Sequence, residues 1–303
     1  MNANARPHAL LRPRVAIPFL IIALIWGSTW WVITTQIAVI PATWAVTWRF
    51  ALATPAMFAL ALATPGRIAM PARVHGLAVA VGICQFCGNY NFVYQAERHL
   101  TSGIVALMVG LMIVPNALLG RALLKQPITM RFALGSLIAI AGIALLLFNE
   151  SRVAHIAGNV ELGIWLALGA MLAASVSNVI QAGETGRRVP LFTLIAWSML
   201  YGTLCDGALA FWVSGPPAVP LTREFWLGTV YLALAGSVVT FPLYYMLIRE
   251  IGAGRAAYHN VLVVIIAMLL STLLEGYHWS TLAIGGSAFA VVGLLVALRA
   301  KSV

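Results

Sequence analysis

The chain has 303 residues, 62% of them hydrophobic and only 9% charged, with a net charge of +10. Eighteen basic and eight acidic side chains cannot clothe a body of this size in water, which excludes a soluble fold, and aperiodic glycine with three cysteines excludes collagen-like repeats and a disulfide scaffold. The basic residues stand between apolar segments rather than in a stripe interleaved with aromatic rings, so the charge is not that of a nucleic-acid binder.

Cutting the chain wherever proline, glycine and charge cluster between apolar runs of roughly 20 residues leaves ten helical segments. They run over 15–36, 42–64, 74–96, 101–121, 130–148, 160–182, 190–213, 225–248, 253–274 and 280–299. The runs are continuously apolar, whereas a membrane barrel strand alternates over about ten residues, so the expected class is an all-α integral membrane protein. The first segment exceeds the apolar core of a signal peptide and is expected to be retained.

In chain order, the second segment holds Arg49, either a seat for a substrate carboxylate or a tie between helices. The third places Gln85 and Asn89 four apart, and likewise Tyr90 and Tyr94, so each pair shares a face. Its Cys84 and Cys87 have metal-like spacing but no second ligand pair, and packing is their expected role; no metal or other cofactor is expected. Met108 and Met112 are also four apart in the fourth segment. Ser177, Asn178 and Gln181 mark the sixth and Asp206 lies inside the seventh. Ser237, Thr240, Tyr244 and Tyr245 mark the eighth, and Tyr258, His259 and Asn260 the ninth. Polar groups in lipid need partners, so these faces point either into a cavity or onto another helix. Prolines 55, 115 and 242 supply bends, gating or static.

Alternate loops carry fourteen Lys and Arg on one side and only Arg98, Arg152 and Arg223 on the other, which places both termini in the cytoplasm. Sliding the chain by 151 residues aligns Tyr94 with Tyr245, Arg98 with Arg249, Gly103 with Gly254, Gly135 with Gly286, Ser136 with Ser287 and Gly142 with Gly293. Each repeat then holds five helices, and an odd number inverts the second copy across the bilayer. The expected organisation is a cytoplasmic segment 1–14, a first repeat 15–148, an extracytoplasmic linker 149–159, a second repeat 160–299 and a cytoplasmic tail 300–303. Inverted repeats around a central site are a device for alternating access.

Trp26-Gly-Ser-Thr-Trp30, Arg49-Phe50, the run from Leu100-Thr-Ser-Gly to Ala141-Gly-Ile, and Ile251-Gly-Ala-Gly-Arg-Ala-Ala257 resemble the EamA-type drug/metabolite transporters over nearly the whole chain. Within that family the Tyr-rich third and eighth helices look most like the YddG-type aromatic amino-acid exporters. Two positions depart from the pattern: Leu124-Lys125-Gln126 stands where the family commonly has Gly-Glu after the fourth helix, and Ile266 is the repeat mate of Pro115. The resemblance implies export of amino acids or related small metabolites across a bacterial inner membrane, the lipid bilayer and the solute being the partners; a fused pair of repeats can act as a monomer.

The expected site is a midplane pocket lined by Trp30, Gln85, Asn89, Met108, Met112 and Ser237, with gates at Tyr94 on the outer side and Tyr245 on the inner. Arg49, Tyr90, Ser177, Asn178, Tyr244 and His259 are further candidates for binding or gating. An Arg49–Asp206 pair is a second option for Arg49. Amide and hydroxyl groups among apolar and aromatic walls suit a neutral or zwitterionic solute, including hydrophobic amino acids, better than phosphates. A lipophilic-cation efflux pump is the alternative. An intramembrane enzyme would need a nucleophile with its base, paired carboxylates or a metal cluster, and the segments show none of these.

Overall fold

The computed structural model describes residues 13–65, 68–125, 127–153, 158–251, 256 and 259–298. Most of the expected N-terminal segment, the middle of the linker, the C-terminal tail and Tyr258 lie outside the described residues. Every regular element among the described residues is helical.

Eight helices are long and apolar enough to cross a bilayer. They are α1 (Pro13–Ile37), α2 (Ala42–Ala63), α3 (Ala72–Ala96), α4 (Ser102–Leu124), α5 (Met130–Val153), α6 (Val160–Ala182), α7 (Leu191–Ser214) and α8 (Arg223–Ile251). Two shorter apolar helices follow, α9 (His259–Leu274) and α10 (Thr281–Leu298), and a five-residue helix, Glu184–Arg188, joins α6 to α7. Prolines 41, 71 and 190 stand immediately before α2, α3 and α7, where a missing N–H costs no helical bond. Gly215, with φ of 76°, closes α7. Lys125 closes α4 in the left-handed region at φ of 55°, and its repeat mate Gly276 holds the same conformation after α9 at φ of 68°. Only glycine adopts that conformation without strain, so Lys125 carries a small local cost.

The distribution of side chains is inside-out for water. Leu62, Leu137, Trp165, Leu204 and Trp212 point outward, while Arg49, Gln85, Asn89, Ser177, Asn178 and Asp206 are buried. That is the arrangement lipid selects, because the outer face needs no polar cover and every interior polar group needs a partner.

The packing repeats between the halves. Helix α2 lies against α7, with Thr43 bonded to Ser214 at 2.9 Å and Thr54 to Thr203 at 2.9 Å. Helix α1 packs on α8 and α9, as α6 packs on α3 and α4. Helix α3 packs on α7, as α8 packs on α2. The tightest pair is α5 with α10, which run backbone against backbone. Gly135 faces Ala297, Ala139 faces Gly293, Gly142 faces Ala290, and Leu146 faces Gly286. A Cβ on Gly135, Gly142, Gly286 or Gly293 would strike main-chain atoms of the opposite helix, which no side-chain rotation relieves. Gly285, one residue from this seam, faces open space.

Two stability predictions follow from the seam and the cap. Gly142→Leu or Gly293→Leu is expected to cost about 3 kcal/mol or more and to abolish monodisperse purification, while Gly285→Ala is neutral or stabilising by up to ~1 kcal/mol. Lys125→Gly is expected to gain about 1 kcal/mol by relieving the left-handed strain. Thermal unfolding in detergent, followed by size-exclusion chromatography, checks both; a well-folded Gly142→Leu protein would show that the backbone contact is dispensable.

Candidate functional site

A pocket with about 650 Å³ of unfilled space, its open side included, lies between six helices. Helix α1 contributes Trp26, Thr29, Trp30 and Ile33, and α3 contributes Gln85, Asn89, Tyr90 and Val93. The rest of the wall is Val109 and Met112 of α4, Ala174 and Asn178 of α6, Phe241 and Tyr244 of α8, and Asn260 and Val263 of α9. These helices are three pairs of repeat mates, α1 with α6, α3 with α8 and α4 with α9. None of the described lining residues is charged.

Three of the helices are interrupted beside the pocket. Helix α3 widens to a π-helix over Gly82–Asn89, and α8 does the same over Leu234–Val239, the equivalent stretch of the second repeat. In α3, Gly82 and Gly202 let the widened turn approach the backbone of α7. In α8, Pro242 stands just beyond Thr240 and Phe241 and has no N–H to offer the carbonyl of Val238, so the regular ladder cannot run through. Helix α4 breaks at Leu111–Met112, where the bonds shorten to i→i+3 from Leu111 to Met108 and from Met112 to Val109. Pro115 explains the break, since it cannot donate to Leu111.

Behind the wall sits Arg49, 1% exposed. Its Nε donates to Ser237 Oγ at 3.1 Å, Nη1 to the Tyr94 hydroxyl at 3.3 Å, and Nη2 to the Tyr90 hydroxyl at 3.4 Å and to the Gly236 carbonyl at 3.1 Å. The guanidinium also lies 4.4 Å from the centre of the Tyr90 ring. The Gly236 carbonyl, within the π-helical turn, additionally accepts from Trp26 Nε1 at 3.2 Å and Thr240 Oγ1 at 2.8 Å. One carbonyl thus joins α1, α2 and α8, and Tyr90 separates the buried charge from the pocket by one ring.

An aromatic ladder runs beside the pocket, from Tyr94 to Tyr90 at 6.5 Å, to Phe241 at 6.3 Å and to Tyr245 at 5.7 Å between ring centres. Tyr94 and Tyr245 occupy its opposite ends. Beyond Phe241, Tyr244 and Trp26 enclose His259 at 5.0 and 5.2 Å. His259 is fully buried, with Nδ1 2.7 Å from the Ala256 carbonyl. Ser177 accepts from Gln181 Nε2 at 3.4 Å, and both stand beside the Tyr245 hydroxyl.

Of the residues singled out in the sequence, Trp30, Gln85, Asn89, Tyr90, Met112, Asn178 and Tyr244 line one pocket. Arg49, Tyr94, Ser177, Ser237, Tyr245 and His259 form a layer around it. Two lining expectations are corrected. Ser237 turns its hydroxyl to Arg49 and to the Leu232 carbonyl at 2.9 Å instead of to the pocket. Met108 packs in a separate apolar cluster with Ile104 and Val264, because the break at Leu111 rotates it away from Met112. The Arg49–Asp206 pair is also corrected: Asp206 accepts from Asn91 Nδ2 at 2.6 Å, between α3 and α7, while the partners of Arg49 are neutral. Cys87 packs in that same interface beside Asn91. The sequence reading left Trp26, Phe241 and the aliphatic wall out of the pocket; Trp26 lies one turn from Trp30, the one signal that was available.

Four buried polar atoms of the lining residues have no protein partner: Trp30 Nε1, Asn260 Nδ2, the Tyr244 hydroxyl and Asn178 Oδ1. Asn178 spends its amide group on Asn116 Oδ1 at 3.4 Å and Met112 Sδ at 3.6 Å, which leaves its oxygen to accept. The lining residues thus carry unpartnered donors and an acceptor beside Ile33, Val93, Val109, Phe241 and Val263.

The EamA-like transporter family matches residues 14–148 and again residues 161–299. Protein PagO of Salmonella typhimurium is 22% identical over 291 residues, covering 95% of this chain and 94% of that one. The uncharacterized transporter YyaM of Bacillus subtilis is 26% identical over 261 residues, covering 82% of each chain. A solved crystal structure superposes with a TM-score of 0.67 at 20% identity, covering 93% of this chain and 95% of that one, a likeness of fold.

Removing the guanidinium tests its role as a tie. Arg49→Met is expected to destabilise by about 2–5 kcal/mol, because it strands the hydroxyls and carbonyl it serves, and Tyr94→Phe by about 1.5–3 kcal/mol for one charge-assisted bond. Thermal unfolding in detergent measures both; an Arg49→Met protein as stable as the parent would leave the tie without consequence.

Proposed function

The chain belongs to the EamA-like transporter family of the drug/metabolite superfamily, and from that premise we propose that it exports neutral or zwitterionic solutes with hydrophobic side chains, amino acids above all, from the cytoplasm by alternating access. The four unpartnered polar atoms of the pocket carry this reading. Trp30 Nε1, Asn260 Nδ2 and the Tyr244 hydroxyl suit a carboxylate, Asn178 Oδ1 suits an ammonium group, and the aliphatic and aromatic wall suits the side chain between them. A phosphate ester would find no cation in this wall and a lipophilic cation no carboxylate.

The protein crosses a bacterial inner membrane ten times, α9 and α10 included, with both termini in the cytoplasm and the two halves inverted. The two separate family matches and the paired packing of α2 with α7 and α5 with α10 support that organisation. Tyr94 and Arg49 then stand on the outer side of the pocket, and Tyr244, Tyr245 and His259 on the inner side. The pocket alternates between the two by bending at the π-helical turns of α3 and α8 and at the break in α4, where the helical ladder is already open. The protein works as a monomer. The aromatic pocket and ladder extend the likeness to the YddG-type exporters.

Transport by purified protein in liposomes tests the proposal, with labelled phenylalanine, tryptophan, methionine and threonine as substrates and a nucleotide sugar and a lipophilic cation as challengers. Saturable amino-acid flux is expected. Asn178→Leu and Asn260→Leu are each expected to raise KM about 10–100-fold, the loss of one hydrogen bond to a charged group. Movement of the cation alone would transfer the protein to drug efflux.

A further inference from the structure

Two glutamates, Glu97 buried and Glu275 half-buried, stand where α3, α4 and α9 meet, away from the pocket. Glu97 follows the last residue of α3, and Glu275 follows the last residue of α9. Their environments differ. The Oε2 atom of Glu275 accepts from the Ser102 N–H at the start of α4 at 3.2 Å and from the Ser271 hydroxyl at 2.8 Å. Both donors stand at the start of α4 and on the last turn of α9. Glu97 is 7% exposed, and neither of its oxygens has a donor. The other Glu275 oxygen and the hydroxyls of Thr101 and Ser102, at the same junction, are also unpartnered.

A carboxyl group in an apolar setting, with no donor and a second carboxylate nearby, is most stable with a proton on it. Burial first, and then Glu275, push Glu97 well above the usual carboxylate range, and Arg49 draws it back. The charged and titratable groups acting on it are therefore Glu275 from α9, Arg49 from α2, and Tyr94 from its own helix. Of its chain neighbours, Arg98 turns to Gln95 Oε1 at 3.1 Å. His99 is held below its usual range by burial and Arg98, and its Nδ1 accepts from the Asn159 N–H at 3.2 Å, so it adds no positive charge.

We propose that Glu97, set against Glu275, is a proton-binding site at the extracytoplasmic mouth, and that its protonation state governs the outer gate through Arg49. The site is distinct from the solute pocket, although its effect on transport rests on the exporter reading above. When Glu97 is neutral, Arg49 is left to Tyr94, Tyr90, Ser237 and the Gly236 carbonyl, and α2, α3 and α8 stay tied. When Glu97 gives its proton to extracytoplasmic water, the new carboxylate competes for the guanidinium and loosens that tie. The ligand is a proton taken from and returned to solvent, so no other reactant is needed.

Two readouts separate this proposal from the transporter reading. The first is infrared spectroscopy of the full-length protein in liposomes. A carboxylic-acid carbonyl component that titrates above the usual carboxylate range is expected to be lost in Glu97→Gln, kept in Asp206→Asn and shifted to lower pH in Glu275→Gln. The second is amino-acid exchange at varied extracytoplasmic pH, with and without sodium. The parent protein is expected to speed up several-fold as that pH rises, and Glu97→Gln to be slow and flat. Thermal stability gives the same sign. A group with a raised pKa in the folded state binds more protons folded than unfolded, so stability falls from the ordinary carboxylate range upward, and Glu97→Gln loses that slope. Exchange independent of pH, with no titrating component that Glu97→Gln removes, overturns the proton site and leaves the exporter intact. A rate that follows sodium instead, and loses that response in Glu97→Gln, overturns it in favour of a cation site. A titrating Glu97 band without solute flux sinks the exporter reading alone.

Discussion

A guanidinium enclosed in an apolar bundle cannot be left to itself, and the local architecture around Arg49 follows from that requirement. Water is not at hand to solvate it, so the protein supplies hydroxyls, a ring face and a main-chain carbonyl. The Gly236 carbonyl, within the π-helical turn of α8, serves as a common acceptor for α1, α2 and α8. Because the third and eighth helices carry the same widened turn, irregular backbone stands on both sides of the pocket, in the one setting where lipid tolerates it.

Seven of the numbered helices divide by role. The interrupted ones surround the pocket: α3 and α8 are π-helical in part and α4 is broken. The pairs α2 with α7 and α5 with α10 stand outside as the frame, and α5 and α10 touch through glycine and alanine along the whole crossing. Lipid offers no hydrophobic drive for helices to associate, so close approach of backbones must supply the attraction. On the alternating-access reading, a frame held that way would stay fixed while bending falls to the helices whose hydrogen-bond ladders are already interrupted.

Much of this was legible in the chain. The helix boundaries could be read because each apolar run ends at proline, glycine or charge, and the repeat because Gly135, Ser136 and Gly142 recur as Gly286, Ser287 and Gly293, although the seam these glycines form was not read from it. Buried polar residues could also be named, since a polar side chain in a membrane helix has few places to go. What the sequence did not disclose was which partner each one takes. Ser237 belongs to Arg49, and Asp206 to Asn91. Helical spacing failed in α4 for a specific reason: Met108 and Met112 share a face only on an unbroken helix, and Pro115 ends that assumption. Glu97 and Glu275 escaped notice because each looks like a loop residue; only the fold buries Glu97 and brings Glu275 near it.

The uncharged wall of the pocket has an electrical consequence. An ion carried across a membrane held at 100 mV exchanges about 2.3 kcal/mol with the field for each elementary charge. A zwitterion has no net charge, and the lining residues add none. Arg49 is moored to the frame helix α2 rather than to the solute. On the exporter reading proposed above, such a carrier would change sides, loaded or empty, without moving charge through the field, and its direction would follow solute concentration rather than voltage.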